Sequence, residues 1–72
     1  MPEPVLPGVY RHYKGGLYRV LHLGTDEENN VSVVIYQAQN AEGRIWVRPV
    51  ARFIELVDVG GVVSPRFKRI GD

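Results

Sequence analysis

The 72-residue chain has no cysteine, one methionine and one tryptophan. Without thiols it can form neither a disulfide framework nor a thiolate metal site. Alanine (three residues) and leucine (five) are scarce, and no stretch carries a long uninterrupted helical period. Long helices are therefore not expected. No apolar run approaches the about 18 residues of a membrane span, so no membrane contact is expected. Met1-Pro2-Glu3-Pro4 lacks the basic and apolar parts of a secretion signal. An excess of one charge is missing too. Nine Lys and Arg stand against eight Asp and Glu, for a net charge of +1. That leaves no overall electrostatic footprint for nucleic acid. Together these absences predict one small, soluble, cytoplasmic domain.

What the chain does have is β-branched and aromatic side chains. Val is 12, Ile 4, and Tyr, Phe and Trp add 7. Such residues suit a pleated, half-buried surface. Eight Gly and five Pro cut the chain into short pieces. The pattern predicts an all-β fold: a small barrel of five to six short antiparallel strands. A proline-rich extended leader is expected over 1–7, one β-barrel domain over 8–67 and a C-terminal tail over 68–72. Strands are expected near 9–13, 17–23, 31–39, 44–48 and 54–59, with a short return at Val62-Val63. Gly15-Gly16 and Gly60-Gly61 read as tight hairpin turns. Pro49 cannot donate to a central ladder but is tolerated at the start of a helix, so one helical turn is expected near residues 49–53. In the second strand, alternation sets Tyr18, Val20 and His22 against Leu17, Arg19, Leu21 and Leu23. It does not say which face is buried. In the fourth strand, either Ile45 and Val47 or Trp46 points inward.

Three strings could carry a site. In Tyr10-Arg11-His12-Tyr13-Lys14, interleaved rings and cations could stack on a ligand and pair with its charges. The alternative is a packed strand whose Arg and His bond to backbone or to Glu55. In Trp46-Val47-Arg48-Pro49, a ring and a guanidinium two residues apart share one strand face, which suits a ligand floor. The alternative buries Trp46 and pairs Arg48 with Glu55. In Ser64-Pro65-Arg66-Phe67, Phe67 is expected to plug one end of the barrel while Arg66 finds a carboxylate. Catalytic and metal sites are not expected. Two Ser, one Thr and two His give no spacing signal for a nucleophile. His12 and His22 alone cannot hold a metal, and neither glycine pair opens a phosphate loop. No cofactor is implied.

The string Gly8-Val9-Tyr10-Arg11-His12-Tyr13-Lys14-Gly15-Gly16-Leu17-Tyr18 resembles the opening of a small bacterial family of domain-of-unknown-function proteins, number sixteen fifty-three. Val34-Ile35-Tyr36-Gln37-Ala38, Trp46-Val47-Arg48-Pro49, Phe53-Ile54-Glu55 and Pro65-Arg66-Phe67 extend the likeness over about residues 8–67. The resemblance implies an SH3-like barrel and no activity. Two departures stand out. The loop Thr25-Asp26-Glu27-Glu28-Asn29 is acidic where the family carries a basic residue and a His, and Gln39-Asn40 replaces an apolar–aromatic pair.

The resulting expectation is a non-enzymatic binding module. An aromatic and arginine groove for a peptide or protein partner would draw on Tyr10, Arg11, His12, Tyr13, Trp46, Arg48, Glu55 and Arg66. The alternative is weak nucleic-acid binding through the arginines. A homodimer through an edge strand is a further possibility.

Overall fold

A computed structural model describes residues 5–72. Seven strands and one helical turn follow in the order β1 (Gly8–His12), β2 (Leu17–Asp26), β3 (Val31–Ala38), β4 (Ile45–Pro49), α1 (Val50–Phe53), β5 (Leu56–Val59), β6 (Val62–Pro65) and β7 (Phe67–Gly71). Five strands form one antiparallel sheet in the order β4-β3-β2-β1-β7. The strands β5 and β6 form a separate antiparallel hairpin. This small all-β architecture is compatible with an SH3-like barrel. The helical turn falls where Pro49 was expected to start it. Pro49 is its N-cap, and Ile54 N–H donates to the Val50 carbonyl at 3.0 Å.

The expected boundaries differ at both ends. Residues 68–72 do not trail away. Phe67–Gly71 is a strand that pairs with β1, setting His12 opposite Phe67 and Arg11 opposite Lys68. Of the expected leader, residues 1–4 lie outside the described residues, while Val5 is buried in the core. The Pro7 carbonyl accepts from Arg69 Nε at 3.1 Å and Nη2 at 3.0 Å, so this segment is fastened to β7.

The turns carry their own polar partners. After β2, Asp26 Oδ1 accepts from Glu28 N–H at 3.0 Å, and its Oδ2 accepts from the Asn29 amide at 2.9 Å. Asn30, at φ 53°, closes the turn with an N–H bond to the Asp26 carbonyl at 2.7 Å. The acidic loop is thus an Asx-type turn satisfied by its own side chain.

A bulge settles the two faces of β2. The register runs Val20 opposite Tyr36 and then His22 opposite Ile35, which leaves Leu21 extra. Before the bulge Tyr18 and Val20 face the core; after it Leu23 does, and His22 is exposed. One inserted residue reverses the alternation. The two faces expected for the whole strand therefore each hold for only part of it.

The core is a cluster of rings on a valine bed. Val5, Val20, Val34 and Val50 surround Tyr10, Tyr36, Phe53 and Phe67. Phe53 stacks on Phe67, with centroids 4.2 Å apart and planes at 5°. Its edges meet Tyr10 and Tyr36, each at 5.4 Å. Offset and edge-to-face pairs of this kind add about 0.5–1.5 kcal/mol each beyond area burial.

A candidate recognition recess

The sheet places its aromatic rings on one face by register. Directly opposed residues of an antiparallel pair share a face. Tyr36 lies opposite both Val20 and Trp46, Val34 opposite Arg48, and Tyr10 opposite Tyr18. Trp46 and Arg48 therefore point to the same side as the core. β4 is an edge strand, however, and the core thins beneath it. Trp46 keeps 44% of its surface exposed. Neither expected arrangement of the fourth strand holds in full. Ile45 and Val47 face outward at 56% and 63% exposure, and Trp46 faces inward without being buried.

The result is an open recess of about 170 Å³ lined by His12, Tyr18, Tyr36, Trp46, Arg48 and Phe67. Phe67 stands at its centre, with His12, Tyr36 and Tyr18 at 4.9, 5.5 and 5.6 Å from its ring. Arg48 Nε donates to the Tyr36 hydroxyl at 3.2 Å, and its guanidinium lies 5.9 Å from the Phe67 centroid. It does not pair with Glu55. Among the described residues no carboxylate lies within ion-pair distance of Arg48. At the rim, Arg44 sits over the Trp46 ring at 5.4 Å.

Electrostatically the recess is positive. The His12 imidazole is held below its ordinary pKa, first by burial and then by the charges of Arg66, Lys14 and Arg48. Its Nδ1 accepts from Lys14 N–H at 3.2 Å, which fixes the ring at the β1–β2 turn. A neutral imidazole, a phenol pair, an indole and one guanidinium give a surface able to stack on an apolar group and donate to an anion. Among the described residues no group of three or more His, Asp or Glu could hold a metal.

The eight residues singled out in the sequence do not form one groove. His12, Trp46 and Arg48 meet in the recess. Tyr10 does not reach it: its ring is in the core, 7% exposed, and its hydroxyl donates to the Leu6 carbonyl at 2.7 Å. Burial pushes that phenol's pKa up. Arg11 lies on the opposite face of β1, in a second groove that it shares with Tyr13. Glu55 and Arg66 are a structural tie. Their side chains pair at 3.8 Å, and Arg66 N–H donates to the Glu55 carbonyl at 2.9 Å. Tyr13 N–H in turn donates to the Arg66 carbonyl at 2.9 Å, which links the β1–β2 turn to the β6–β7 corner. Arg66 thus finds the carboxylate expected for it, and Phe67 fills the end of the core.

Three lining residues went unrecognised in the sequence: Tyr18, Tyr36 and Phe67. Tyr18 and Tyr36 could have been found by extending the alternation from Val20 and Val34. Phe67 was expected to plug the barrel end, but its place in the recess lining depends on the long-range pairing with β1.

The fold and the recess define a class: a small, all-β domain with an open aromatic and cationic face. Within that class the chain belongs to the family described as "Protein of unknown function (DUF1653)", which matches residues 8–69. The chain is similar to a crystal structure of a DUF1653 protein from Bordetella bronchiseptica. The two share 38% identity with a TM-score of 0.85 over 93% of this chain and 88% of the other. Among curated proteins no relative matches the chain. No helix of the described residues is long and apolar enough to cross a membrane.

Proposed function

We propose that this protein is a non-enzymatic binding module whose recess takes a side chain of a peptide or protein partner. The observation that supports this reading is Arg48. It is held in the recess by Tyr36 and Phe67, beside a half-exposed Trp46, with no carboxylate partner among the described residues. A cation placed among rings without a counter-charge is an arrangement a ligand can complete. At about 170 Å³ the recess suits one side chain rather than a whole small-molecule substrate.

Trp46 is the chain's single tryptophan, so its emission reports on the recess directly. A peptide library screened by Trp46 emission should yield a ligand whose binding falls about tenfold or more with Arg48→Gln, since hydrogen bonds to charged groups are worth about 1.5–3 kcal/mol. Oligonucleotides provide the opposing test. Steeply salt-dependent binding of single-stranded DNA or RNA with no peptide ligand would replace this reading with nucleic-acid binding. An Arg48→Gln variant that binds its peptide as tightly as the parent would remove the recess from the mechanism.

A further inference from the structure

A second surface adjoins the recess at His12 and extends over the other face of β1 and β7. Arg11 and Lys68 lie directly across from each other on β1 and β7. Both are exposed, and neither forms an ion pair among the described residues. Like charges directly opposed on a sheet are unfavourable. Among the described residues, three other exposed cations are matched, Arg44 with Glu42, Arg52 with Glu55 and Arg69 with Asp72, while Lys14, at the neighbouring β1–β2 turn, is not. The unmatched pair borders a groove of about 260 Å³, walled by the Tyr13 ring, Ser64, Pro65 and Ile70. Tyr13 is 38% and Ile70 45% exposed, so the walls are apolar and open. β7 is also the last strand of its sheet. Its ladder edge can receive an extended chain.

We infer that this groove binds an extended acidic peptide segment, one whose groove-facing residues, every second one along the strand, are in turn carboxylate and aliphatic. The carboxylates would sit between Arg11 and Lys68 and relieve their repulsion, while the aliphatic groups would cover Ile70 and Pro65. The groove meets the recess only at His12, which lines both, and this inference stands without the proposed function.

The test is fluorescence anisotropy of the whole chain with a labelled, end-blocked peptide of Glu-Ser-Val-Ser repeats, beside the same peptide with Gln for Glu. The Glu peptide should bind and the Gln peptide should bind at least about tenfold more weakly, with salt eroding the difference. The double variant R11Q/K68Q should lose about tenfold or more, and R19Q much less. Arg11→Glu gives the control for folding. It places opposite charges across β1 and β7, so its Tm should rise above the parent's while its peptide binding falls. The inference is overturned by no binding of the Glu peptide, by equal binding of both peptides, or by an equal loss in R19Q. It is also overturned if Trp46 emission changes on titration, which would place the peptide in the recess instead.

Discussion

Phe53 is where the structure makes its largest energetic commitment. It is 2% exposed and belongs to a single-turn helix. Its ring stacks on Phe67 and meets the edges of Tyr10 and Tyr36. Truncating a buried Phe to Ala costs about 3–5 kcal/mol in transfer and cavity terms. Little relaxation can repair the gap, because the neighbours are rings held by strands. A domain of this size rarely has more than about 3–5 kcal/mol to lose. Phe53→Ala should therefore bring the chain to the edge of unfolding at room temperature. In a thermal scan followed by far-ultraviolet circular dichroism, Tm should drop by about 15–30 °C, at roughly 4–8 °C per kcal/mol for a domain this small. Phe53→Leu keeps most of the volume and should cost well under half as much. As a surface comparison, Val62→Thr on the exposed hairpin should stay within about 0.5 kcal/mol of the parent. A Tm loss of less than about 5 °C for Phe53→Ala would show that the ring cluster is not the core, and with it the floor of the recess would lose its support.

Three further outcomes follow from particular contacts. Gly8 has φ 139°, and a Cβ there would run into the Gly71 carbonyl and crowd Arg69. Gly8→Ala should cost about 1–3 kcal/mol in urea unfolding, and a neutral result would refute the β1–β7 register at that point. The His12 imidazole titrates below 6.5 in the folded protein. The unfolded chain therefore binds the extra proton first, and this contribution to stability is complete above pH 6.5 and declines as pH falls below it. An NMR titration of His12 should show the depressed value, and Arg48→Gln should move it upward; an unmoved value would exclude Arg48 as a neighbour that matters. The β5–β6 hairpin exposes Leu56, Val59, Val62 and Val63. Isolated two-stranded hairpins are marginal in water. Sedimentation at rising concentration should show self-association that Val62→Lys abolishes, and a monomer throughout would argue that the hairpin is covered by something other than its twin.

Strand class, turn positions and the single helical turn were legible because each depends on local chemistry. Gly15-Gly16 and Gly60-Gly61 mark chain reversals, and Pro49 both ends β4 and begins α1. Three features were hidden, each for a different reason. β7 reads as a charged tail because Lys68 and Arg69 interrupt its apolar positions, and only pairing with β1 makes it a strand. The bulge at Leu21 leaves no mark in the residue pattern, so the buried face of β2 stayed ambiguous. The candidate site was legible in half. Alternation set Tyr10 and His12 on one face, but not which of them the core would absorb. It set Trp46 beside Arg48, but an edge position rather than any residue preference left Trp46 half exposed. Glu55 and Arg66 attracted attention as charges, and the geometry spends them on each other.

The pairing of the first strand with the last also governs the order in which the molecule can be made. Phe67 supplies one wall of the ring stack and stands opposite His12, 55 positions earlier in the sequence. A nascent chain that has emerged only through residue 66 has Phe53 without its stacking partner and β1 without its outer neighbour. Such a chain can form its central hairpins while still on the ribosome, yet it cannot close. Completion waits for residues 67–71 to clear the exit tunnel, and until then the half-built sheet must be kept from sticking to other unfinished chains.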